Sequence, residues 1–134
     1  MERELLMPQS NSIICDRAFE FASRALKLCD RLHERGPSAR HVGNQLMRCG
    51  TSIGSNAEEA QEGQSKADFI AKLSVSRKEA RETMFWLRLA VKNELVRTAE
   101  IEWELNEARQ LLAMIRGAIL TARSSDSRGS GPSN

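Results

Sequence analysis

A chain of 134 residues, 40% hydrophobic, 28% charged and 4% aromatic, fits one domain able to bury its own core. It is too apolar for a disordered chain, and its longest apolar run, Leu111–Ile115, falls far short of the roughly 20 residues of a membrane-spanning helix. A net charge of +2 does not by itself demand a nucleic-acid partner. The N-terminus carries Glu2 and Glu4 and no long apolar stretch, so a secretory signal is not expected and a cytoplasmic location is.

Residues 1–9 are expected to fray. In the next segment Ile14, Ala18, Phe21, Ala25, Leu28 and Leu32 recur at alternating steps of four and three, which predicts a helix with one apolar seam. Gly36-Pro37 breaks it. Ser38 is expected to cap a second helix bearing Val42, Leu46, Cys49, Ile53, Asn56 or Ala57, and Ala60, closed by Gly63. Gly50 and Gly54, four apart, lie on one face of that helix. Each costs about 1 kcal/mol against alanine, so a close approach by a neighbouring helix is expected. Asn56 either bonds its amide in the core and fixes helix register or points to solvent and leaves the seam to Ala57.

Ser65 with Asp68 reads as the N-terminal cap of a third helix, whose seam is Phe69, Leu73, Ser76, Ala80, Thr83, Leu87 and Ala90. Thr98 should cap the fourth, with the seam Ile101, Leu105, Ala108, Leu112, Ile115, Ile119 and Ala122. The Ser/Gly-rich stretch 124–134 reads as a disordered tail. No strand is required. Four amphipathic helices over residues 10–123, joined by short links, specify an all-α, antiparallel up-down-up-down four-helix bundle. Leu111, Met114 and Ala118 form a second apolar row on the fourth helix, and Phe85 and Trp86 extend the third. This surplus points to an interface with another copy.

Chemistry is sparse. Cys15, Cys29 and Cys49 lack the spacing of a disulfide framework or a zinc site and read as buried structural thiols. His33 and His41 flank the first turn without a metal motif. The pairs Glu58/Glu62 and Glu79/Glu82 read as surface groups balanced by Lys66, Arg81 or Lys78. No catalytic, cofactor-binding or metal site is expected. Charge is uneven, however. Residues 17–48 hold seven Lys/Arg against three Asp/Glu, and residues 64–97 hold eight against four. The phosphate-binding candidates are Arg24, Lys27, Arg31, Arg77, Arg81, Arg88 and Lys92, which form either a basic groove lined by the first three helices or a solvated mixed surface.

The run Arg48-Cys-Gly-Thr-Ser-Ile-Gly-Ser-Asn56, then Glu58-Glu-Ala60, Ser65, Asp68-Phe-Ile70, Lys72-Leu73, Lys78-Glu-Ala80, Glu82-Thr83 and Trp86-Leu-Arg-Leu89, resembles the bacterial four-helix-bundle family also called the 23S rRNA intervening-sequence proteins. The family often has Ala before the Asn, where this chain has Ser55. The resemblance implies an up-down four-helix bundle, ring-like homopentamers in several relatives, and no enzymatic activity. More distant relatives accompany reverse transcriptases. The reading is therefore a non-enzymatic oligomeric module that binds RNA, a ribonucleoprotein or a nucleic-acid enzyme, without a membrane or small-molecule substrate. The alternative is a purely structural or protein-interaction module.

Overall fold

The computed structural model describes residues 12–129. It contains α1 (Ile13–His33), α2 (Pro37–Gln61), α3 (Lys66–Lys92), a 3-10 turn (Thr98–Ile101) and α4 (Glu102–Gly129). Among these residues there is no strand. The expected fraying of residues 1–9 falls outside them. No helix among them is long and apolar enough to cross a membrane.

The four apolar seams meet in one core. Ala18, Phe21, Ala25, Leu28 and Leu32 of α1 are buried with Leu46, Ile53 and Ala57 of α2, Leu73 and Leu87 of α3, and Ile101, Ala108, Ile115 and Ile119 beyond. Helix α1 packs most extensively on α2, α2 on α3, and α3 on α4, while a thinner α1/α4 seam closes the arrangement. Helices α1 and α3 sit diagonally.

The tight α1/α2 contact rests on glycine. A Cβ at Gly43 would meet Leu32 Cβ at 3.1 Å, one at Gly50 would meet Ala25 Cβ at 2.8 Å, and one at Gly54 would meet the Ala18 backbone at 3.3 Å. Contacts descend α1 as they ascend α2, so the two helices run in opposite senses. The same holds between α2 and α3, where Ser76 Oγ donates to Ile53 O at 2.7 Å and Thr83 Oγ1 lies 3.1 Å from Cys49 Sγ. These two buried hydroxyls occupy seam positions without cost because each is bonded. Asn56 is half-buried, its amide donating to Ser52 O and Ser52 Oγ, both at 2.9 Å, and Ala57 takes the buried seam position.

Several boundaries and placements differ from expectation. Ser65 caps α3 as read, its hydroxyl accepting from Asp68 N at 3.1 Å. Ser38 does not cap α2. The helix starts two residues earlier than a Ser38 cap implies, at Pro37, with Gly36 before it at φ 103°. Proline's fixed φ and missing N–H suit the first helical position. Thr98 opens a 3-10 turn rather than capping α4. Helix α4 continues to Gly129, so residues 124–129 of the expected tail are helical. Leu111 is fully buried and belongs to the core, because α4 turns a face wider than one seam inward. Glu104 is buried as well, at 3% exposure.

Candidate nucleic-acid interface

Two of the four seams are laced by arginines bonded to acids. Along α1, Arg17, Arg24 and Arg31 recur every seven residues and all turn to α4. Arg17 grips Glu107 through Nε at 2.9 Å and Nη2 at 2.5 Å, reaches Gln110 at 2.6 Å, and touches Met114 Sδ at 3.3 Å. The Arg24 guanidinium lies 4.4 Å from the centre of the Trp103 ring, which stacks on Phe21. Arg31 approaches Glu100 at 3.5 Å and Glu104 at 3.9 Å. Arg35, just past α1, holds Glu100 in a fork at 2.5 and 2.8 Å. Between α2 and α3, Arg48 bonds both Glu79 and Glu82. The Glu79/Glu82 pair is thus held by a residue outside the three balancing cations expected from sequence.

The hydrogen bonds from Arg35 hold the Glu100 carboxyl below the usual carboxylate range, against the upward push of burial. A depressed native pKa contributes stability above the ordinary carboxylate pKa and loses it as pH falls through the lower native value. Glu100→Gln should therefore melt earlier than the wild-type chain at pH 7, with the gap closing below about pH 4. A gap unchanged down to about pH 2 in thermal melts would assign the effect to something other than this ion pair.

The remaining arginines are deployed differently. On α3, Lys72, Glu79 and Trp86 meet Glu59, Arg48 and His41 of α2. Helical geometry sets Arg77, Arg81 and Arg88 on the other flank, beside half-buried Ile70, Met84 and Val91. On α4, Trp103, Glu104, Glu107 and Met114 mark the side turned to α1. Arg109, Arg116 and Arg123, seven apart, fall on the opposite flank beyond Leu105 and Leu112. The two flanks border one face. None of these six arginines forms an ion pair among the described residues; Arg109 donates to Asn106 Oδ1 at 3.4 Å. Glu102 is the one acid on either row among the described residues.

The sequence-derived candidates separate accordingly. Arg77, Arg81 and Arg88 share this face, with exposed Lys92 at its edge. Arg24 and Arg31 are engaged inside the molecule, and exposed Lys27 lies on diagonal α1, so the first three helices do not line a common basic groove. Arg109, Arg116 and Arg123 were not apparent from segment charge. Of the expected interface residues, Phe85 is 50% exposed and sits edge-on to half-buried Trp86. Met114 and Ala118 are half-buried. Gly50 and Gly54 pack against α1 as described above.

Little here suits covalent chemistry. All three cysteines are buried and none is in a disulfide, and burial pushes the Cys29 and Cys49 thiols up, away from the reactive thiolate. No group of three or more His, Cys, Asp or Glu among the described residues could hold a metal ion. An open hollow of about 860 Å³ at the α2–α3 turn is lined chiefly by Ser55, Glu58, Glu59, Glu62, Asp68 and Lys72.

The molecule is thus a helical protein whose distinctive surface is electrostatic. A family model for the 23S rRNA-intervening sequence protein matches residues 10–117, and the chain belongs to that family. It is 34% identical to a protein of unknown function from the S23 ribosomal protein family of Bacteroides thetaiotaomicron, whose crystal structure superposes with a TM-score of 0.74 over 80% of this chain and 98% of that one. No curated protein matches the chain.

Proposed function

We propose that this protein is a non-enzymatic module, an antiparallel up-down-up-down bundle that assembles into a homopentamer and binds RNA or a ribonucleoprotein in the cytoplasm. The observation that carries the binding half is the contrast among its arginines. Arg17, Arg31, Arg35 and Arg48 have acidic partners, whereas the six on the α3/α4 face have none among the described residues. Like charges gathered with Glu102 as the one acid on their rows among the described residues repel one another and favour an anionic ligand. Membership of a family named for ribosomal RNA intervening sequences agrees with a nucleic acid as that ligand. The assembly half draws on Phe85 and on further exposed apolar side chains, Phe19, Leu26 and Leu120, and a ring would repeat the basic face so that weak contacts act together.

Purified without nuclease, the protein is expected to elute with bound RNA, raising its 260/280 nm absorbance ratio, and light scattering should give about five times the 15.0 kDa chain mass. Arg77→Glu with Arg81→Glu should strip the RNA without altering the mass. A monomer at micromolar concentration overturns the ring. RNA retention untouched by the double variant overturns the site.

A further inference from the structure

The rows of arginine on α3 and α4 have a geometry that bears on what form of RNA they fit. Lys66 Nζ at the start of α3 reaches Ser125 Oγ of α4 at 3.1 Å, while the other end of α3 feeds through a short link into α4, so the two helices run in opposite senses. At a rise of about 1.5 Å per residue this register brings Arg81 within about 1.5 Å of the level of Arg109, and Arg77 within about 3 Å of the level of Arg116. Four guanidiniums thus frame the middle of the face, with Arg88 prolonging one row and Arg123 the other. The α4 row spans about 21 Å and the α3 row about 16 Å, on two neighbouring helices, and packed helix axes lie about 8–10 Å apart. The side chains between the rows are the aliphatics Met84, Leu105 and Leu112, which offer no hydrogen-bonding group to a base edge and no ring on which a base could stack.

We propose that this face binds double-helical RNA through its two phosphate backbones, a reading that rests on the RNA-binding function above and specifies its substrate. Two rigid rows of forked, permanently charged donors match two strands. The deep groove of A-form RNA is narrow, so phosphates of opposite strands approach across it. Contacts limited to phosphate position a protein without reading sequence, in keeping with the aliphatic strip between the rows. A flexible single strand would instead call for exposed stacking platforms along its path. Phe85, the exposed ring nearest the face, lies outside the α3 row.

Fluorescence anisotropy with a 20-base-pair RNA duplex, each of its single strands and a DNA duplex of the same sequence tests this. The RNA duplex should bind tightest, indifferent to sequence, with affinity falling steeply as salt rises. Arg109→Glu with Arg116→Glu, both at exposed positions, should weaken duplex binding by at least about tenfold and flatten the salt slope while circular dichroism stays unchanged. Single strands bound as tightly as the duplex, a DNA duplex bound more tightly than RNA, or wild-type duplex affinity in the folded double variant would each overturn the proposal. Single-strand binding would leave the broader RNA reading standing. Absence of binding to every probe at low salt would remove both.

Discussion

Replacing Leu28 by Asp is expected to unfold the protein at room temperature. Leu28 is 1% exposed in the centre of the core, and a carboxylate there would be buried without a partner, a cost of several kcal/mol. That is comparable to the roughly 5–15 kcal/mol that holds a small domain together. Val75 of α3, 41% exposed, supplies the comparison: its change to Asp should shift stability by no more than about 0.5 kcal/mol. Circular dichroism melts of the two variants check the assignment, which an unshifted Leu28→Asp melting temperature would refute.

Gly50→Val should be nearly as damaging, for a steric reason. Even a single carbon added at Gly50 would sit 2.8 Å from Ala25 Cβ and 3.4 Å from Phe21 Cε1, so the larger side chain must force α1 and α2 apart. Overpacking of this kind costs about 1–3 kcal/mol, and here it strikes the most extensive contact in the molecule. Gly117 of α4 is the counter-case, since a Cβ there would meet nothing within 4 Å. Gly117→Ala should stabilise by up to about 1 kcal/mol through helix propensity alone. Melting temperatures moving in opposite directions for the two glycines are the expected result. A rise for Gly50→Val would show that the close approach is not built as described.

What the sequence discloses follows the physics that each feature depends on. The seam of α1 is legible because one helix face repeats at three and four residues, and Ala18, Phe21, Ala25, Leu28 and Leu32 are all buried; Ile14, at the end, is only half-covered. The Ser65 cap is legible because its partner lies three residues away on the same chain. Leu111 and Glu104 are not, because whether a second row joins the core depends on how wide a face the neighbouring helices cover. The charge pattern misleads for a related reason. Residues 98–123 carry four acids and three arginines and look neutral as a segment. Glu100 on the 3-10 turn and Glu104 and Glu107 on α4 turn toward α1 while Arg109, Arg116 and Arg123 turn away, and a sum along the chain erases that sidedness. The same blindness makes Arg24 and Arg31 look available when α4 has already engaged them.

The two seven-residue arginine rows, on α1 and on α4, have opposite standing under sequence change. Arg17, Arg24 and Arg31 are tied to Glu107, Trp103, Glu100 and Glu104, so altering one strands a partner inside the molecule and the fold answers for it. Arg109, Arg116 and Arg123 form no ion pair with an acid among the described residues. Charge on that side can be gained, lost or inverted through drift while the architecture persists. One scaffold can in this way be passed among lineages that use it against different partners.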